Sequence, residues 1–225
     1  MRGQLRLKLE HAADFSRDRF VISSPNRDAV EMLDGWPNER GGALALIGPP
    51  GAGKSHLAAT WAERTGAEII TQEALNAYEP AERSGAMLLD GADAAPHGEA
   101  FFHLLNRAQT GGSCLLLTGR AAPLSWPVEV ADLRSRLNAL PVIEIGEPDD
   151  AILRGLLLKL FQERNIRPPQ DLLAYLLLRM ERSAPAAEAI VAALDEAASM
   201  EHRAVSRVLA RELLKDETDD AQAAE

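Results

Sequence analysis

The chain is poor in several things at once, and each scarcity closes off a class of function. Only one of its 225 residues is cysteine, Cys114, so no internal disulfide can form. Cys114 lies in the apolar run Ser113–Thr118, a setting that calls for a buried small hydrophobe. The five histidines are scattered, without the spacing to cysteines or carboxylates that a zinc site needs. Positive charge is in deficit: 24 Lys and Arg against 34 Asp and Glu leave a net charge of −10. Gripping nucleic-acid phosphate needs a basic face, so direct sequence-specific DNA binding is disfavoured as the main task. No apolar run approaches the roughly 20 residues of a membrane span. The polar, basic N-terminus has no signal-peptide core. The expectation is a soluble cytoplasmic protein with no membrane partner. No internal repeat is visible.

What is present is concentrated in one stretch. Gly48-Pro49-Pro50-Gly51-Ala52-Gly53-Lys54-Ser55 fits G-x-x-x-x-G-K-[ST], the phosphate loop of nucleoside-triphosphate binders. Leu44–Ile47 before it reads as a short buried strand, and His56–Arg64 after it as a helix, which is the setting the motif requires. The glycines let backbone N–H groups turn inward onto phosphate oxygens, and the following helix adds its positive N-terminal end. Lys54 is expected on the β- and γ-phosphates and Ser55 on Mg²⁺, with ADP or ATP as the ligand. A second element follows downstream. Met87-Leu88-Leu89-Asp90 is an apolar strand ending in an acid that can act on Mg²⁺, directly or through water.

Hydrolysing members of this class often carry a second acid next to the first, to orient the attacking water. Here that position is Gly91, and the next acid, Asp93, need not point at the site. Slow intrinsic hydrolysis, or retention of product, is the expectation. Thr118, at the end of the strand Cys114–Thr118, is a candidate for sensing the γ-phosphate; a structural role fits the residue equally well.

The chain divides into a polar leader (1–18), a segment alternating apolar runs with amphipathic stretches (19–146), an all-helical segment (147–215) and an acidic tail (216–225) expected to fray. Strands are expected at Ala43–Ile47, Ala67–Ile70, Ala86–Asp90, Ser113–Thr118 and Val142–Ile145. Helices are expected at Asp28–Leu33, Lys54–Arg64, Glu99–Thr110 and Val130–Leu137. Asp149-Asp150 can cap a helix running through Arg164, and Pro168-Pro169 start another that ends at Met180. Two more cover about Ala187–Glu201 and Ala204–Lys215. Leu153, Leu156, Leu157, Leu160 and Phe161 form a stripe at helical spacing, most simply the core of the helical segment. Trp61 belongs in the core, while Trp36 and Trp126 lie beside prolines and should cover exposed edges.

A helical segment following a phosphate-loop sheet resembles an AAA+ module with its lid. The fold class implied is α/β, a P-loop NTPase of the AAA+ kind, with a five-stranded parallel sheet between helices plus a small all-α lid domain. Within that class the chain resembles the DnaA replication-initiator branch. The cues are Arg19-Phe20-Val21 followed by Pro25-Asn26-Arg27, then Gly53-Lys54-Ser55-His56-Leu57, then Leu133-Arg134-Ser135-Arg136-Leu137. The resemblance implies that the Phe20–Asn26 segment, with Phe20, Val21 and Asn26, lies against the adenine; His56, which follows the loop in this family, is a further nucleotide-site candidate, with packing there as the plainer role. It also implies that Arg136 is an arginine finger acting in trans, with Arg134 left as the other candidate. The family's features also fail in places. The initiators continue into a helix-turn-helix domain, for which the sequence to Glu225 has no room. Their lid carries a sensor arginine where this chain reads Ala184-Pro185-Ala186-Ala187-Glu188, with Arg182 the nearest cation. The acid after the sensor strand is replaced by Arg120.

The leader segment Gln4-Leu5-Arg6-Leu7-Lys8-Leu9 resembles the peptide by which bacterial proteins bind the DNA polymerase sliding clamp. Gln4 would offer an amide, and Leu5, Leu7 and Leu9 would fill an apolar groove. Alternating leucines also describe a plain edge strand. Together these resemblances imply a negative regulator of replication initiation, with the clamp and DnaA as partners and possible self-association. The rival expectations are an active AAA+ ATPase of the helicase-loader kind, a clamp–initiator adaptor without chemistry, and, least favoured, a phosphate-loop kinase.

Overall fold

A computed structural model of the protein describes residues 20–37, 41–75, 85–95, 98–110, 113–128 and 130–222, with side chains through 214. The clamp-like segment carrying Gln4, Leu5, Leu7 and Leu9 lies outside the described residues.

Five strands form one parallel sheet in the order β2-β3-β4-β1-β5. They are β1 (Gly42–Ile47), β2 (Glu68–Ile70), β3 (Ala86–Leu89), β4 (Cys114–Gly119) and β5 (Val142–Glu144). The three middle strands are apolar along their length because both of their faces are covered. Successive residues alternate between two cores, as the two-residue period of a strand demands. Met87, Leu89, Leu115 and Leu117 enter one core with Phe101, Leu104 and Leu133. Leu88, Cys114, Leu116, Leu44 and Leu46 enter the other with Leu33, Leu57 and Trp61. The edge strands β2 and β5 are largely exposed, with only Ile70 and Ile143 buried in them.

Helices α1 (Arg27–Asp34), α2 (Lys54–Thr65), α4 (Glu99–Thr110) and α5 (Ala131–Asn138) cover the sheet, and a short α3 (Gln72–Leu75) follows β2. Each lies within two residues of its expected bounds except α3, which four residues of sequence are too few to announce. Trp126 corrects the expectation of an edge cover. It is 2% exposed in the core beneath α4, edge-on to Phe101, and its indole donates to Ala121 O at 2.9 Å. Trp36 stacks on the core residue Trp61 with ring centroids 5.1 Å apart.

The lid comprises α6 (Asp150–Glu163), α7 (Gln170–Leu177), α8 (Ala184–Met200) and α9 (Arg207–Gln222). Leu153, Leu157, Leu160 and Phe161 of the leucine stripe are its core, with Leu156 packed at the margin. Asp149 caps α6 by accepting from Ile152 N at 3.0 Å, as an acidic residue at a helix start should. The helix α9 continues to Gln222, past Asp216 where the composition suggests fraying.

Candidate nucleotide site

The phosphate loop joins β1 to α2 at the carboxyl edge of the sheet. Gly48, Gly51 and Gly53 take φ values of +154°, +73° and +96°, which L side chains rarely adopt. Lys54 folds back onto its own loop and donates to Gly48 O at 2.7 Å and Pro49 O at 2.8 Å. Partial burial pulls its ammonium below the ordinary lysine range. Asp93 and then Asp90 oppose that shift, and the Arg120 charge reinforces it. A cation short of compensating charge inside a loop of glycines fits a polyphosphate.

The ends of β3 and β4 complete the floor. Asp90 Oδ1 accepts from Thr118 Oγ1 at 2.5 Å and from Ser55 Oγ at 3.3 Å. Thr118, in turn 1% exposed, accepts from Gly91 N at 2.8 Å. Ser55, Asp90 and Thr118 are thus one network, which places the candidate magnesium ligands beside the candidate sensor. Residues of this kind suit a magnesium ion bound through a nucleotide. Among the described residues no group of three or more His, Cys, Asp or Glu side chains is arranged to hold a metal alone.

Gly91 sits in the left-handed region and packs against Gln72. Its φ is +69°, and a Cβ there would sit 2.8 Å from Gln72 Nε2, which donates to Gly91 O at 2.9 Å. An acid there would have to take the left-handed backbone and displace the Gln72 carboxamide. The sequence did not require Asp93 to point at the site; its charge bears on Lys54 and its Oδ2 accepts from Arg120 N at 3.0 Å. Sequence reading missed Gln72 and undervalued Asp93 and Arg120. Each lies one turn from a strand end, so only the sheet order brings it to the loop.

The segment from Phe20 to Asn26 straddles sheet domain and lid. The Phe20 ring packs against Gly53 and lies edge-on to His56 with centroids 5.2 Å apart. Val21 packs on Gly155 of α6, where a Cβ would be 2.5 Å from its Cγ2. Asn26, 1% exposed, accepts from Ser23 N at 2.8 Å and donates to Val21 O at 2.9 Å, fixing the turn. Ser23 Oγ donates to Asp149 Oδ2 in a short hydrogen bond. Burial pushes the Asp149 carboxyl up, but hydrogen bonds from Ser23, Ile152 N and Ala151 N, with the Arg182 charge, outweigh it and hold it below the ordinary value. So Phe20 and His56 meet at the loop–helix junction, while Val21 faces α6 and is tied to Asn26.

The lid approaches the loop through uncharged groups. A Cβ on Gly51 would meet Pro185 Cδ at 2.7 Å and Ala184 Cβ at 2.9 Å, so the start of α8 abuts the phosphate loop. Arg182 is spent elsewhere, on Asp150 Oδ1 at 2.6 Å and Pro148 O at 3.2 Å.

The two arginines of α5 differ in role. Arg134 donates to three backbone carbonyls, Leu124 O at 3.0 Å, Trp126 O at 2.8 Å and Val128 O at 2.8 Å, and so ties down the loop before α5. Arg136 meets side chains only: Asn106 Oδ1 at 3.1 Å, Gln109 Oε1 at 3.0 Å, Asp132 Oδ2 at 3.3 Å and the Phe102 ring at 5.1 Å. Its side chain is 30% exposed.

No protein-family model matches the chain. Among curated proteins it is 23% identical over 231 residues to the chromosomal replication initiator protein DnaA of Thermomicrobium roseum, covering 90% of this chain and 50% of that protein. The chain thus spans about half the length of that relative. Domain III of Thermotoga maritima DnaA superposes with a TM-score of 0.73 at 18% identity, over 91% of this chain and 97% of that one. AMPPCP-bound DnaA from Aquifex aeolicus gives a TM-score of 0.63 at 20% identity, over 80% of this chain and 64% of that one. The fold is that of these AAA+ modules, and sequence and fold together mark the chain as DnaA-related. No helix among the described residues is long and apolar enough to cross a membrane.

Proposed function

We propose that this DnaA-related AAA+ module is a cytoplasmic regulator of replication initiation. It holds a nucleotide, ADP in its working state, with magnesium at Ser55 and Asp90, and stimulates hydrolysis of ATP on a DnaA-type partner. In this it resembles Hda, the regulatory inactivator of DnaA. The sheet domain (19–146) binds the nucleotide, the lid (147–215) closes it in, and the leader (1–18) docks on the sliding clamp through Gln4, Leu5, Leu7 and Leu9. Its own hydrolysis is weak.

The observation that carries this reading is an imbalance within one site. The phosphate-binding floor is complete in Lys54, Ser55, Asp90 and Thr118. The position of the second acid is Gly91, left-handed and packed against Gln72, and the lid meets the loop with Ala184 and Pro185. Such a site favours keeping a nucleotide over turning it over. Arg136 is the finger in this scheme. A cation delivered to a partner's γ-phosphate stabilises charge that develops in the transition state, and fingers of this kind are worth roughly 10³ to 10⁵ in rate. Arg136 must exchange Asn106, Gln109 and Asp132 for that phosphate, all of them half-exposed or exposed groups that water can resolvate. Arg134 cannot leave without orphaning three carbonyls.

The test is hydrolysis by ATP-loaded DnaA with clamp on DNA, comparing the parent with Arg136→Ala and with a Gln4/Leu5/Leu7 alanine variant. Both variants should lose stimulation while melting like the parent. Arg134→Ala is the control for structure and should melt earlier, since hydrogen bonds to charged groups contribute about 1.5–3 kcal/mol. Stimulation by both variants at the parent's level rules the mechanism out.

A further inference from the structure

The residue that fills the place of the missing acid is a glutamine. Gln72 opens α3 directly after β2, and β2 lies next to β3 in the sheet, so the end of β2 adjoins Asp90 and Gly91. Its Nε2 donates to Gly91 O at 2.9 Å and stands 2.8 Å from where a Cβ on residue 91 would be. The carboxamide therefore occupies the space that an acid at position 91 would need. One end of the carboxamide is committed and the other is not: among the described residues Oε1 accepts no hydrogen bond. The residue is half-buried, and Gly91 N leads through Thr118 Oγ1 to Asp90, so the amide adjoins the network on the site's floor.

We infer that Gln72 orients the water that attacks ATP held in this chain's own loop. The inference deepens the reading above and rests on it, since it requires that the loop of Lys54 hold a nucleotide. The water donates one hydrogen bond to Gln72 Oε1. Its oxygen forms the new bond to the γ-phosphorus, and the bond from that phosphorus to the bridging oxygen breaks, leaving its electron pair on the diphosphate. The water's proton passes to a phosphate oxygen and leaves with inorganic phosphate. A neutral amide positions water but removes no proton, so the step is slow where a carboxylate would make it fast. Weak hydrolysis then has a residue behind it, and the chain can convert a bound ATP to the ADP form in which it acts.

The experiment compares the parent, Gln72→Ala and Gln72→Glu in three readouts. These are binding of a fluorescent ADP, trapping of that ADP by aluminium fluoride with Mg²⁺, and single-turnover ATP hydrolysis. All three proteins should bind ADP equally. Gln72→Ala should lose trapping and slow hydrolysis by roughly tenfold or more. Gln72→Glu cannot donate to Gly91 O but keeps an acceptor for water, so it should trap ADP and hydrolyse at least as fast as the parent. Unchanged trapping in Gln72→Ala overturns the inference. So does equal loss in both variants, which would mark Gln72 as a structural tie to Gly91, and so does a parent that binds ADP but neither traps it nor hydrolyses ATP. A parent that binds no ADP sinks the nucleotide reading itself, which keeps the two failures apart.

Discussion

The floor of the nucleotide site and its roof are built on different principles. On the floor, Ser55, Asp90 and Thr118 form one hydrogen-bonded set, and Lys54 donates to the loop carbonyls Gly48 O and Pro49 O. On the roof, α8 meets the loop through a methyl group and a proline ring against Gly51, and the nearest arginine, Arg182, pairs with Asp150 instead. The floor offers a phosphate charge and hydrogen bonds, whereas the roof fits the loop by shape. A roof without charge has little to distinguish the extra phosphate of ATP from ADP, because discrimination needs a group that contacts one state and not the other. Under the proposed function, holding and sensing a nucleotide are separable tasks, the first assigned to the floor and the second weakened at the roof.

The largest expected effect comes from striking the floor. Lys54→Ala should weaken fluorescent ADP binding by roughly 10- to 150-fold, the loss of a charge-assisted contact worth about 1.5–3 kcal/mol. A titration giving the parent's affinity would break the comparison outright. Next is the seam where floor and roof touch. Gly51→Ala should lower stability by about 1–3 kcal/mol, because φ is +73° there and the added methyl meets Pro185 and Ala184. Thermal melts check it, and a variant as stable as the parent means that the lid does not press on the loop.

A smaller effect is expected from the tie between the Phe20–Asn26 segment and the lid. Asp149→Ala removes the cap of α6 and the bond from Ser23, costing about 1 kcal/mol. Because the folded Asp149 titrates below its ordinary value near 3.8, its contribution is full above that value and is lost as the pH falls through the lower folded one. Melting of parent and variant should accordingly converge on acidification. Smallest is a charge added to the roof. Pro185→Arg should favour ATP over ADP by about 0.2–1 kcal/mol, at most roughly fivefold, measured by competition between the two nucleotides.

Much of this molecule was legible before its structure. The phosphate loop, the Asp90 strand and the separate strands and helices follow from motifs and periodicities confined to ten or fifteen neighbouring residues, while the five-stranded sheet with its lid was implied by the resemblance to AAA+ modules. The core role of Trp61 was also readable, from its place on the post-loop helix. Trp126 was misjudged because a tryptophan beside a proline gives no local sign of the α4 and β4 surfaces that close over it. Asp93, Arg120 and Gln72 carry no motif at all. Their relevance arises from strand order, which puts the ends of β2, β3 and β4 side by side although the sequence spaces them 20 to 30 residues apart.

By itself the sequence determined that a nucleotide-type loop exists, that an acid stands on the next strand, and that position 91 carries no second acid. Local backbone chemistry is enough for those statements, since glycine, lysine and serine at fixed spacing act within one turn. Only the tertiary structure decided that Gly91 takes a left-handed conformation, that Gln72 packs against it, and which arginine of α5 is committed to the backbone. Those are questions of space and of hydrogen-bond partners, and both are set by residues far away in the chain.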